Sequence, residues 1–278
     1  MTAGPLVNAF TVDLEDWFQG LEIDPERWPG FEPRLQVGTG RLLELLARAG
    51  VRATFFVLGH AAARAPGLVR AIRAAGHEVG THGYAHRFAY RLGPEAFAAD
   101  LRRALRELED LLGEPVRGHR AAFFSITRQS PWAFEVLRQH GIRFDASVFP
   151  VRNYRYGVHD APRGIHWAAP GLAEFPATVL RVLRTNIPAA GGAYFRILPY
   201  RVTHLALARA NAAGQPASFY IHPWELDPEQ PRLERLPRRI GLPHYANLRA
   251  VPDRLERLLR DFRFAPMGEV LAARGWLA

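Results

Sequence analysis

The chain has 278 residues, 48% hydrophobic and 23% charged, with a formal net charge of +9; that is length for one large α/β domain or two small ones with a sizeable core. It holds no Cys, which excludes a disulfide framework and any thiolate metal site and leaves His and carboxylate side chains as the metal ligands available. All 36 basic residues are Arg, scattered among acids and apolar residues as on helix 94–112 and not gathered into a stripe with aromatics, so no nucleic-acid partner is expected, while attraction to an anionic polymer or membrane surface stays open.

In chain order, hydrophobic periodicity and helix punctuation predict alternating strands and helices. A strand over 8–12 is followed by a helix over 39–49, an apolar strand over 51–58, a helix over 67–75 closed by Gly76, a strand over 78–81 and a long helix over 94–112 closed by Gly113. Glycine suits these helix ends because it takes the left-handed conformation without a Cβ clash. A strand over 116–121, a helix over 131–139 with Gly141 after it, and a strand over 142–145 continue the series. From 151 to 193 the rhythm breaks into a stretch rich in Pro, Gly and aromatics, read as a loop-rich insertion that forms a lid or groove, or else as edge packing. It resumes with a helix over 200–213, a strand over 217–222 and a helix over 251–262. The alternation predicts an α/β fold of parallel strands and crossover helices, a sheet or a barrel, with active groups at strand C-termini. No linker sets off a second domain, so a single domain over 1–278 is expected.

The N-terminal stretch lacks a basic region and a long apolar run, and acids at Asp13, Glu15 and Asp16 interrupt it. Neither a signal peptide nor a transmembrane segment is expected, and the location expected is cytoplasmic.

Four chemical signals fall at the ends of different predicted strands. The first is the acid cluster Asp13-Leu14-Glu15-Asp16. Alternation puts Asp13 and Glu15 on one side if the strand continues, so that one carboxylate binds a cation while the other takes a proton from water; a solvated acidic turn is the other reading. The second is the pair His82 and His86, four apart in Gly80-Thr81-His82-Gly83-Tyr84-Ala85-His86. With the acids they suffice for a three-ligand divalent metal site that keeps an acid over for proton transfer. The flanking glycines place them on a turn and not on a zinc-protease helix, and they also read as surface or capping histidines. The third is Arg120, placed to orient a carboxylate through an ion pair or else lying on the surface. The fourth is His222, a candidate acid for a leaving amine or a buried structural histidine. Their coincidence at strand ends favours one site.

The ordered stretches Thr11-Val12-Asp13-Leu14-Glu15-Asp16-Trp17-Phe18, Ala53-Thr54-Phe55-Phe56-Val57-Leu58-Gly59, Gly76 through His86, Gly118-His119-Arg120-Ala121, Phe144-Asp145-Ala146-Ser147 and Tyr220-Ile221-His222-Pro223-Trp224-Glu225 resemble the NodB-type polysaccharide deacetylases (carbohydrate esterase family 4). Gly191 through Arg196 and Asp261 through Met267 resemble the branch associated with exopolysaccharide and exosortase loci, which implies a family-specific C-terminal part from about 194 to 278. The resemblance covers nearly the whole chain. It implies a distorted (β/α)7 barrel and hydrolysis of the N-acetyl group of an amino sugar in a glycan; the expected cytoplasmic location adds a lipid-linked sugar intermediate as a substrate, since precursors are met there before export. The resemblance also implies Asp13 as general base, His82 and His86 as ligands of a divalent metal, zinc first among them, Arg120 orienting the base, His222 as general acid, and Asp145 orienting His222.

Two departures stand out. The family's adjacent acids are separated here by Leu14, so the third metal ligand is Glu15, favoured by alternation, or Asp16. Ala122, followed by Phe123, replaces a proline that the family carries two residues after the arginine. Two other functions share this fold. Metal-independent hydrolases of cyclic amides and ureides typically lose a metal histidine, whereas both are kept here, and a non-catalytic carbohydrate-binding relative is expected to have replaced Asp13 or His222.

Overall fold

The computed structural model describes residues 6–153 and 155–277. Residues 1–5, 154 and 278 lie outside that range, so the first part of the N-terminal stretch and one tyrosine of the aromatic segment are not placed. In chain order the strands are β1 (Val7–Leu14), β2 (Thr54–Val57), β3 (Glu78–Thr81), β4 (Gly118–His119), β5 (Phe144–Asp145), β6 (His166–Ala169), β7 (Leu172–Glu174), β8 (Val179–Val182), β9 (Thr185–Pro188), β10 (Ser218–Ile221) and β11 (Arg263–Ala265). The helices are α1 (Leu35–Ala49), α2 (Gly59–Arg64), α3 (Pro66–Ala74), α4 (Ala89–Leu112), α5 (Trp132–Gln139), α6 (Gly192–Ile197), α7 (Tyr200–Ala212), α8 (Arg238–Tyr245), α9 (Val251–Asp261) and α10 (Met267–Ala273).

The strands run in the order β10-β1-β2-β3-β4-β5-β7-β6, with β11 beside the start of β1. Every pairing is parallel except that of β6 with β7, as expected where each strand is reached through a crossover. The result is an α/β fold whose sheet curls into a half-barrel. Strands β1 and β2 are buried on both faces over nearly their full length, the signature of a parallel sheet covered on both sides.

Two apolar layers hold the sheet. The larger packs its outer face against the helices and includes Phe10, Val12, Leu42, Leu46, Phe55, Val57, Leu101, Leu105 and Leu137. The smaller fills one end of the concave side, where Phe56, Phe144, Phe175 and Ala9 meet Met267, Val270 and Leu271 of α10. Gly118 makes room for this plug, since a Cβ there would stand 2.2 Å from the Phe144 ring. With one end plugged, the strand C-termini are left to line the open end.

The expected elements are present with shifted edges. Helix α1 begins at Leu35 and not at 39, because its first turn is capped from outside by the Asp16 carboxylate. The break before 94 is Gly93, at φ +76° inside α4. Within the stretch 151–193 four short strands lie among the loops: β6 and β7 belong to the main sheet, and β8 and β9 form a separate antiparallel ribbon. Three- and four-residue strands with little alternation leave no periodic signal, which is why the stretch reads as loop. No helix among the described residues is long and apolar enough to cross a membrane.

Helix α1 braces the turn Pro223–Leu226 that follows β10. Arg41 Nη1 donates to Leu226 O at 2.8 Å, and a Cβ on Gly38 would lie 2.0 Å from Pro223 O. Gly38→Ala is therefore expected to destabilise the fold by about 1–3 kcal/mol through overpacking against backbone. The check is a fall in the denaturant midpoint at unchanged slope.

Candidate active site

Asp13 and Thr11 point to the concave side of β1, as strand alternation requires, and Arg120, just beyond β4, reaches across to them. Its Nη1 donates to Asp13 Oδ1 at 2.7 Å and to Thr11 Oγ1 at 2.9 Å, while Nε donates to Ala146 O at 3.1 Å. The guanidinium also lies 4.4 Å from the Phe56 ring centroid, a favourable cation–π distance. Both members of the pair are buried. One carboxylate oxygen of Asp13 is thus held, and the other, Oδ2, faces His222 Nε2 at 3.8 Å.

Glu15 leaves the strand in a tight turn, its N–H bonded to Asp13 O, and meets the histidine pair. Its Oε2 stands 2.6 Å from His86 Nε2 and 4.0 Å from His82 Nε2, and ligand atoms of the three residues all lie within 4.8 Å of one another. Glu15 Oε2 is buried with no hydrogen-bond donor. His82 Nδ1 lies 2.8 Å from Arg120 O; a carbonyl only accepts, so Nδ1 carries the proton and the Nε2 lone pair is left free. Burial pushes His82 down to about 4, which keeps it neutral as a ligand must be. Burial opposes ionisation of Glu15, yet His86, His222 and His82 together hold it well below the usual carboxylate range. The Glu15 oxygen, His86 Nε2 and the free Nε2 lone pair of His82 converge on one point and fit a divalent cation.

Asp16 has a different occupation. Its Oδ1 accepts from Trp17 N, and its Oδ2 accepts from the N–H groups of Arg34 and Leu35 at the start of α1. Burial raises its carboxyl to about 6 against those bonds. Glu15, not Asp16, is the acid brought to the histidines.

The turn carrying the histidines is held from α4: Asp100 accepts from Tyr84 N at 2.7 Å and Ala85 N at 3.2 Å. Gly83 (φ +74°) and His86 (φ +49°) take left-handed backbone there. Phe123, also left-handed at φ +57°, sets its ring 4.3 Å from that of His86.

One expected placement is corrected. Asp145 does not meet His222: its Oδ1 lies 2.7 Å from His119 Nδ1 and accepts from Ser147 Oγ at 2.7 Å, and Glu174 crowds it, raised well above the usual range by burial and by Asp145 itself. The partner of His222 is Glu225, whose Oε1 lies 2.8 Å from Nδ1. Reasoning from the sequence missed it because a residue three positions away looks local until the chain turns. It also missed Trp224, whose ring stacks on His222 at 5.0 Å and whose Nε1 donates to Glu15 Oε1 at 3.2 Å. Burial alone would depress His222, but the Glu225 hydrogen bond with the Glu15, Glu225 and Asp13 carboxylates raises it to about 9.

Residues 31–144 match the family model described as polysaccharide deacetylase, over the segment holding both metal-site histidines and Arg120. Over that segment the chain is similar to the polysaccharide deacetylases. Residues 146–272 match a second model, described as a domain of unknown function (DUF3473), and one sheet runs through both segments. A chitooligosaccharide deacetylase of Rhizobium leguminosarum bv. trifolii is 31% identical over 147 residues, 52% of this chain and 60% of that protein. A peptidoglycan deacetylase-like protein of Gibberella zeae is 31% identical over 115 residues, 41% of this chain and 33% of that protein. The chain thus spans 33% to 60% of the lengths of these curated relatives. In fold it resembles a Mycobacterium smegmatis structure described as a polysaccharide deacetylase, at a TM-score of 0.66 and 20% identity, covering 100% of this chain and 94% of that one.

Two substitutions separate the acids. Glu15→Gln is expected to weaken binding of a divalent cation at least about tenfold, whereas Asp16→Asn leaves that affinity near wild type and costs about 0.5–2 kcal/mol of fold stability through the lost cap. Calorimetric titration with zinc and denaturant unfolding measure the two effects.

Proposed function

We propose that this chain is a divalent-metal-dependent hydrolase that removes N-acetyl groups from amino-sugar residues of a glycan. Its substrate in this reading is an exopolysaccharide-related glycan or its lipid-linked precursor, met in the cytoplasm before export. The observation that carries the reading is the facing of Asp13 Oδ2 and His222 Nε2 at 3.8 Å beside the buried Glu15, His82 and His86 cluster. Zinc is the ion proposed, because two imidazoles, one carboxylate and an open position make a catalytic zinc set.

A cation held there would polarise the amide carbonyl and make water a better nucleophile near neutral pH. Asp13 Oδ2 takes the proton of the attacking water, since Arg120 occupies the other oxygen and holds the carboxylate plane. His222, charged at neutral pH, keeps one proton toward Glu225 and presents the other on Nε2 to the departing amine nitrogen. Acetate and the free amino sugar leave, with no covalent intermediate on the chain. Phe123, Tyr156 and Tyr194 border the cavity, of about 280 Å³, in front of these groups, a wall suited to stacking on sugar faces.

Acetate release from N-acetylglucosamine oligomers is expected to vanish with chelator, return with zinc, and fall by about two orders of magnitude or more in Asp13→Asn; persistence of release in the chelated protein would point to the metal-independent chemistry of cyclic-amide hydrolases. The pH profile is a second check. A raised pKa means the acid form of His222 is lost as pH climbs through about 9, so kcat declines on the alkaline side. With a cation neutralising Glu15 the decline begins below that value.

A further inference from the structure

We propose that Glu225 and Arg196 are positioning residues for His222, and that supplying this pair together with the histidine is what the segment matching the domain of unknown function contributes to the reaction. The proposal rests on the deacetylase reading for the role of His222, and on geometry for everything else. Both oxygens of Glu225 are committed: Oε1 accepts from the His222 backbone N at 3.0 Å and lies 2.8 Å from its Nδ1, and Oε2 accepts from Arg196 Nε at 2.5 Å. Burial opposes ionisation of Glu225, but the adjacent Arg196 guanidinium holds its carboxyl below the usual range. A carboxylate only accepts, so the proton on this bond belongs to His222 Nδ1, and Nε2 is the nitrogen turned to Asp13 and Glu15.

Arg196 is itself fixed. It is 1% exposed, and its Nη1 donates to His244 O and Ala246 O, both at 2.8 Å. It stands on α6, while the carbonyls that grip it close α8, so two elements outside the barrel lock the carboxylate that locks the imidazole. Trp224 closes the arrangement by lying between the rings of His222, at 5.0 Å, and His244, at 4.1 Å. None of these residues falls within 31–144; all fall within 146–272. Asp145, the carboxylate expected for this task, is occupied by His119 and Ser147.

The test uses the full chain, zinc-loaded and labelled with 15N-histidine. The His222 Nδ1 proton should give a low-field, slowly exchanging resonance, assigned by its absence in His222→Gln. In Glu225→Gln it should move upfield or disappear, in Glu225→Asp it should partly return, and Arg196→Lys should shift it less; Asp145→Asn, which acts on His119, should leave it in place. In parallel, Glu225→Gln should lower kcat for acetate release from N-acetylglucosamine oligomers at least about tenfold, with KM within about twofold. A resonance unmoved in Glu225→Gln, or an unchanged kcat in a folded variant that has lost it, overturns the proposal. Absence of acetate release by the wild-type chain overturns the deacetylase reading, while the resonance still decides whether Glu225 and Arg196 set the histidine.

Discussion

The buried ion pair between Arg120 and Asp13 is the contact around which the open end of the half-barrel is arranged. It spans from β4 to β1 across the concave face, with both groups almost wholly removed from water. Removing one partner of such a pair leaves an uncompensated charge that costs about 3–5 kcal/mol. Thr11, Ala146 and the Phe56 ring support the guanidinium through Nε, Nη1 and its face, while Nη2 is buried without a hydrogen-bond acceptor. The backbone carbonyl of Arg120 receives His82 Nδ1, so one arginine sets both the carboxylate that faces the cavity and the tautomer of a histidine in the Glu15, His82 and His86 cluster.

Around that pair, the buried carboxylates divide the work by what else each touches. Asp13 has one oxygen bound and one exposed to the cavity. Glu15 has Oε1 held by Trp224 and Oε2 without a donor, the environment of a ligand. Asp16 is spent on backbone N–H groups, Asp145 on a histidine and a serine, and Glu225 on His222 and Arg196. Chemical type does not separate these acids. Their partners do, because in a low-dielectric interior each additional donor or cation changes whether a carboxylate is ionised and which lone pair remains free.

Much of this was legible beforehand. Alternating periodicity and helix-closing glycines such as Gly76 and Gly113 indicated parallel strands with crossovers, and acids, paired histidines, Arg120 and His222 stood at strand ends, where such folds gather their chemistry. The short strands between 151 and 193 were not legible, since three or four residues carry no period. Nor was the Glu225 partnership with His222, which depends on the turn Pro223–Leu226 bringing a side chain three residues on back beneath the imidazole.

The sequence by itself determined the fold class, the order of the strands' chemistry and the ligand types available, because periodicity, glycine placement and the absence of cysteine are local properties of the chain. Only the tertiary structure decided that Glu15 meets the histidines while Asp16 caps a helix, and that Glu225 with Arg196, not Asp145, holds His222. Those choices turn on distances between groups far apart in the chain, Glu15 from His86 and Arg196 from Glu225, and on which donors burial has left to each oxygen, and neither is written in the spacing of residues along the chain.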